Sequence, residues 1–203
     1  MPRVSAAHKE QRRQEILDAA MEVFIGKGYQ SSTINDISAQ CGMSVGAIYR
    51  YFRNKGEIML SLVDERLGRT PEAFARLTEH IEDPWERLDR CVGLFTNALR
   101  VRHPATGRLL LVTMAEAVQD GDVRRGLHER FRSLVAYISG VIADGIRSGQ
   151  FRADADPTAL ATLLMSAADG VAVYWVTGSP EIDLRVLRSS ILAMLRTYLT
   201  SKE

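Results

Sequence analysis

Two apolar segments, each about two helical turns long, flank the tripeptide Cys41-Gly42-Met43 and limit what this chain can fold into. Thr33 opens the first as an N-cap. Ile34 and Ile37 follow one turn apart, and Asp36 sits at the third position to close a variant of the capping box. Ser44 opens the second, Val45 to Phe52, as another N-cap. A helix of two turns is marginal alone in water, so longer helices must hold both segments. Gly42 falls where the turn needs a positive φ, and Ser38 and Ala39 are small enough for close helix approach. With Ile34, Ile37, Val45 and Ile48 sharing one small core, the arrangement predicts a helix-turn-helix.

Helical periodicity runs through the rest of the chain, and no stretch alternates like a strand. Ile16, Leu17, Ala20, Val23 and Phe24 stripe a helix from about Lys9, which Gly26 and Gly28 end. Asn54 caps a longer helix reaching Leu67, and Pro71 either kinks it or starts a new one with Thr70 as cap. Further helices are expected from Pro84, over Leu109–Val118 after a loop at 103–107, over Val123–Ser148, over Pro157–Val176 and over Ile182–Leu199. The expected fold is all-α with about nine helices: residues 1–55 a helix-turn-helix domain, residues 56–203 a helical ligand-binding and dimerisation domain.

The 26 Lys/Arg and 25 Asp/Glu leave a net charge of +1, which by itself favours no partner. Their distribution says more. Residues 1–55 hold eight Lys/Arg against five Asp/Glu, whereas the remainder holds 18 against 20. A basic end suits a polyanion. With the apolar residues of the second segment turned inward, Ser44, Gly46, Ala47, Tyr49 and Arg50 face out. Their mostly short side chains let a helix press into a major groove, where Tyr49 and Arg50 reach bases or phosphates. Arg50 has a second reading as a solvated charge, and Val45 is readable as packing or groove contact. Thr33, Ser44, Tyr51 and Lys55 are candidate donors to phosphates, close to helix N-termini.

The run Phe24-x-x-Lys-Gly-Tyr-x-x-x-Thr33-x-x-x-Ile37-Ser-x-x-Cys-Gly42-Met-Ser-x-Gly-x-Ile-Tyr-x-Tyr-Phe-x-x-Lys55 closely resembles the N-terminal signature of TetR-family regulators. That resemblance covers about residues 10–60. It implies a three-helix DNA-binding domain, a larger helical ligand domain and a homodimer joined mainly through the last two helices. By position, it makes Thr33, Ser44, Tyr51 and Lys55 phosphate contacts, and Val45, Gly46, Ala47, Tyr49 and Arg50 the reading face. Two positions depart from the pattern. Ser38 stands where Ala is usual, and Gly56 where an acidic residue often follows the Lys.

Other chemistries lack their parts. Gly42-Met43-Ser44-Val45-Gly46 has the spacing of a hydrolase nucleophile elbow, but that motif needs a strand running into the turn. The four histidines are scattered, and no HExxH or phosphate loop occurs, so no catalytic residue, metal or cofactor is expected and the chain is not read as an enzyme. Cys41 and Cys91 are read as small buried thiols. The N-terminus lacks a signal-peptide core and no uninterrupted apolar run reaches about 18 residues, so a cytoplasmic protein without membrane partners is expected.

For the C-terminal part, Trp85, Phe131, Met165, Asp169 and Trp175 are candidate contacts for an unidentified small-molecule effector, although large residues at helical spacing are more often core. Asp169 interrupts an apolar run, where an unpaired carboxylate is costly; contacting a ligand, capping a neighbouring helix and facing an exposed Arg remain equal readings. The last two helices carry apolar residues on more than one face, which either a four-helix dimer bundle or the domain's own helices would cover. The resulting expectation is a repressor that binds a pseudo-palindromic double-stranded operator and is released by its ligand. An activator or a ligand-independent DNA-binding protein would carry the same head.

Overall fold

The computed structural model describes residues 6–67, 70–101, 104–178 and 183–200. Among these residues there are no strands and ten helices: α1 (Ala6–Lys27), α2 (Ile34–Cys41), α3 (Val45–Ile48), α4 (Lys55–Leu67), α5 (Pro71–Thr78), α6 (Pro84–Val101), α7 (Pro104–Gln119), α8 (Gly121–Arg147), α9 (Pro157–Val176) and α10 (Leu184–Thr200). The all-α class is as expected. The count reaches ten because Pro71 starts a helix of its own. Thr70 caps α5, its hydroxyl accepting from Ala73 N at 3.2 Å, and a first-turn proline gives up no helical hydrogen bond.

Most helix starts have a short polar residue that satisfies their free amides. Asn54 Oδ1 accepts from Glu57 N at 2.8 Å, and Asp156 Oδ1 accepts from Thr158 N and Ala159 N at 2.8 and 3.0 Å. Asp120 does the same for Asp122 N and Val123 N at the start of α8. Two boundaries differ from expectation. α7 begins at Pro104, inside the segment read as a loop. α3 stops at Ile48, well short of Phe52. Past Ile48 the backbone tightens, with Arg50 N donating to Ala47 O and Tyr51 N to Ile48 O, bonds that span three residues.

The chain packs as two compact units. The first takes in the described residues up to Arg66 together with Leu109–Leu127; the second takes in the described residues within Leu67–Arg108 and from His128 onward. In the first unit, Ile16, Leu17, Ala20 and Phe24 of α1, Ile37, Ile48, Phe52, and Ile58, Met59 and Leu62 of α4 are buried. Leu109, Leu110, Val123 and Leu127 are buried too. Burying each such side chain is worth roughly 1.5–3 kcal/mol, which lets a helix as short as α3 exist at all.

In the second unit the core gathers Phe74, Leu88, Phe95, Leu134, Ile138, Ile142, Met165, Leu195 and Leu199. Gly145 has no side chain because a Cβ there would run into the Phe151 ring. That ring closes the core edge-on to Trp85, centroids 4.8 Å apart. Cys91 is buried, and burial pushes its thiol up to about 12. Cys41 is only half-buried, a correction to its reading as a buried thiol, with its Sγ 3.8 Å from Ser38 O. Within α9, Pro157–Tyr174 is long and apolar enough to cross a membrane by length and composition, with a mean hydropathy of 1.2. Thr158, Thr162, Ser166 and Asp169 interrupt that stretch, and Ala161, Leu164, Met165, Ala168 and Ala172 face inward.

Candidate nucleic-acid interface

Local chemistry sets the geometry of residues 33–52. At the start of α2, Thr33 Oγ1 accepts from Asp36 N at 3.1 Å while Thr33 N donates to Asp36 Oδ2 at 2.8 Å, the full capping box. Lys27 Nζ lies 2.5 Å from Asp36 Oδ1, and Lys27 with Thr33 holds the Asp36 carboxyl down at about 2. Gly42 ends α2 at φ +66°, where a side chain would be strained. Ser38 Oγ donates to Met43 O at 2.5 Å, tying α2 to the turn. That bond accounts for a serine at a position where alanine would only pack. Ser44 then caps α3, accepting from Ala47 N at 3.2 Å.

Ile37 and Ile48 point inward and are fully buried, while Ile34 and Val45 are half-buried. What remains outside is the candidate reading face. Ser44, Gly46 and Arg50 are exposed, Ala47 is half-buried, and Tyr49 keeps 53% of its surface open to solvent. An exposed tyrosine on a one-turn helix, beside a glycine with no side chain, leaves the backbone free to approach a duplex closely.

The four candidate phosphate donors divide. Ser44 is exposed, and its hydroxyl hydrogen is not used by the cap. Thr33 is exposed, yet its hydroxyl donates to Asp36 Oδ2 at 2.7 Å. Tyr51 is half-buried. Lys55 is half-buried as well, its Nζ donating to Tyr29 O at 2.6 Å and Ser32 O at 2.8 Å, 4.1 Å from the Tyr29 ring centroid. Burial draws the Lys55 pKa below its ordinary value, against the opposing pull of Glu116 and Asp120. Two of its three N–H groups therefore face the protein. Gly56 is buried: a Cβ there would stand 3.2 Å from Val123 Cγ2 and 3.3 Å from Asn54 Oδ1, so a longer residue after Lys55 would push against α8.

The effector candidates belong to the second unit. Trp85 is half-buried and, with Asp83, Glu86, Asp89, Leu192, Ala193 and Arg196, lines an open groove of about 500 Å³. The Arg196 guanidinium lies 5.2 Å from the Trp85 ring centroid. Phe131 is half-buried against the core, Met165 is inside it and Asp169 is half-buried. The Trp175 side chain lies outside the described residues. A small apolar cavity between α6, α9 and α10 is lined by Val92, Phe95, Thr96, Leu164, Ala168, Val171, Leu187 and Ile191, none of them among the five candidates.

The capped pair of helices with a bare outer face defines a helix-turn-helix DNA-binding protein. Residues 16–62 match the family described as bacterial regulatory proteins, tetR family, and residues 84–201 match the C-terminal domain of BetI-type transcriptional repressors. The chain belongs to the TetR family of transcriptional regulators. It is 28% identical to the fatty acid metabolism regulator protein of Bacillus subtilis over 96% of this chain and 98% of that protein. It is 25% identical to the transcriptional regulator TtgR of Pseudomonas putida over 91% of this chain and 89% of that one. The crystal structure of FadR from Bacillus subtilis in complex with stearoyl-CoA superimposes with a TM-score of 0.74 at 27% identity, covering 92% of this chain and 98% of that chain.

Proposed function

We propose that the chain is a homodimeric, cytoplasmic repressor whose two heads enter successive major grooves of a pseudo-palindromic operator, roughly 34–36 Å apart. One observation carries the reading: α3 leaves Tyr49, Gly46 and Arg50 bare while Ile48 anchors it from behind. Residues 1–55 read DNA, with Tyr49, Arg50, Val45, Gly46 and Ala47 at the bases and Thr33, Ser44, Tyr51 and the remaining N–H of Lys55 at phosphates. Residues 56–203 bind the effector and the second copy. Exposed apolar side chains of α9 (Leu163, Val173, Tyr174) and α10 (Val186, Met194, Tyr198) support the dimer, because a four-helix bundle would cover them.

A small molecule in the helical domain releases the operator, with Trp85, Phe131, Met165, Asp169 and Trp175 as candidate contacts. Lowering operator occupancy about a hundredfold takes a coupling of about 2.7 kcal/mol, and DNA must weaken the ligand by the same factor. The stearoyl-CoA held by the Bacillus subtilis relative makes long-chain acyl-CoA thioesters the first effectors to try.

A gel shift with duplex DNA flanking the chain's own coding region tests the reading. The expected result is a retarded band whose log affinity falls against log salt by about 0.9 per phosphate neutralised. An acyl-CoA effector would release it. Binding indifferent to salt, or no binding to any flanking duplex, contradicts the proposal.

A further inference from the structure

The first unit buries a carboxylate that the reading face does not use. Glu116 of α7 keeps only 9% of its surface. It accepts a hydrogen bond from Gln30 Nε2 in the loop between α1 and α2. Six residues on, at the start of α8, Asp122 Oδ2 accepts from Asn54 Nδ2 at 3.3 Å. Gln30 lies three residues before the cap of α2, and Asn54 lies two residues after Phe52 and caps α4. One helical corner therefore grips both ends of the segment that carries α2 and α3.

Other contacts at the corner point the same way. Gly56 packs its backbone against Val123 of α8, an approach only glycine permits without displacing a neighbour. Lys55 Nζ ties together the carbonyls of Tyr29 and Ser32, on either side of Gln30, and the Glu116 and Asp120 carboxylates supply its nearby negative charge. Tyr29 is buried among the same groups; burial first, then Asp120 and Glu116, raises its hydroxyl above the usual tyrosine range. Glu116 and Tyr29 are buried members of this cluster, and the bonds they anchor there compete less with water than those at its exposed rim.

We propose that Glu116 and Asp122 are positioning residues for DNA reading, holding the entry and exit of the helix-turn-helix segment through Gln30 and Asn54. They touch no DNA. Their work is to keep the one-turn α3 in a single orientation, since a reading face has to be held within about 0.5 Å and 10–20° to match base edges. The inference rests on the proposed DNA-binding role, but its first test needs no DNA.

Amide hydrogen exchange on the DNA-free protein compares wild type, Q30A, D122A and the exchange pair Q30E/E116Q. Gln30 and Asp122 are exposed, so both single variants should fold. We expect the amides of Ala47 and Ile48 in α3 and of Tyr49 just after it to exchange about fivefold faster in each single variant, with Leu17 and Ala20 of α1 unchanged. The exchange pair should restore protection, because the new amide at position 116 then donates to the new carboxylate at position 30. Uniform acceleration through the unit, or α3 exchange within about twofold of wild type, overturns the proposal. On a duplex that the wild type retards, Q30A should bind about fivefold more weakly with an unchanged salt slope, whereas a slope smaller by about one makes Gln30 a phosphate ligand and also overturns it. Failure of the wild type to bind DNA would count against the function alone, leaving the exchange result to stand.

Discussion

Replacing Ile48 by alanine should cost roughly 2–5 kcal/mol of unfolding free energy, a large share of the roughly 5–15 kcal/mol that holds a domain together. Ile48 is fully buried and is the one residue of the four in α3 with no surface in solvent. The helix has little else to hold it. The Ser44 hydroxyl caps it with a single bond from Ala47 N, and past Ile48 two bonds spanning three residues, Arg50 N to Ala47 O and Tyr51 N to Ile48 O, tighten the backbone. Removing the anchor leaves a cavity beneath a turn too short to form unaided. Urea unfolding of the variant reads the loss, and operator affinity should fall with it. Val45→Ala, at a half-buried position on the same helix, should cost no more than about 1.5 kcal/mol. A loss under about 1 kcal/mol for Ile48→Ala would mean that α3 is held by something other than its core contact.

Met194→Glu should turn the proposed dimer into a monomer and weaken operator binding about a hundredfold, the lower end of what linking two heads contributes. Within a single chain Met194 is 72% exposed, so folding of the protomer should change by less than about 0.5 kcal/mol. In a two-fold dimer built on α9 and α10, the same substitution appears on both sides and places two carboxylates in an apolar interface. Leu163, 65% exposed on α9, makes a second site for the same change. Sedimentation equilibrium separates the outcomes. A glutamate variant that stays dimeric at wild-type concentrations places the dimer interface elsewhere.

The helix-turn-helix was legible because its instructions are local. Thr33 with Asp36, Gly42 and Ser44 each act on backbone within three residues, and a cap or a positive-φ turn reads the same in sequence as in structure. Length was less legible. Nothing near Tyr49 marks where α3 stops, because its end depends on how Phe52 and Ile48 reach the core together. Pro71 left two readings open, and only the packed Thr70 cap resolves them.

What escaped was non-local. The residues that complete the first unit, Leu109–Leu127, lie more than fifty positions beyond α3 and carry no signal of their destination. A clue existed all the same. Glu116 is a lone carboxylate in an apolar helix, the pattern that Asp169 also shows, and it is buried and bonded to Gln30. Lys55 shows the opposite difficulty. Its position in the signature suggests a phosphate donor, and the fold also binds it to the carbonyls of Tyr29 and Ser32.

Tyr49→Ala titrated against a panel of single-base-pair operator variants is the most direct measurement. If α3 reads DNA through its open face, the substitution should erase about 1–3 kcal/mol of discrimination at one or two base-pair positions and leave the others as they were. The same affinity and the same base preferences as the wild-type protein would mean that this face does not meet the duplex.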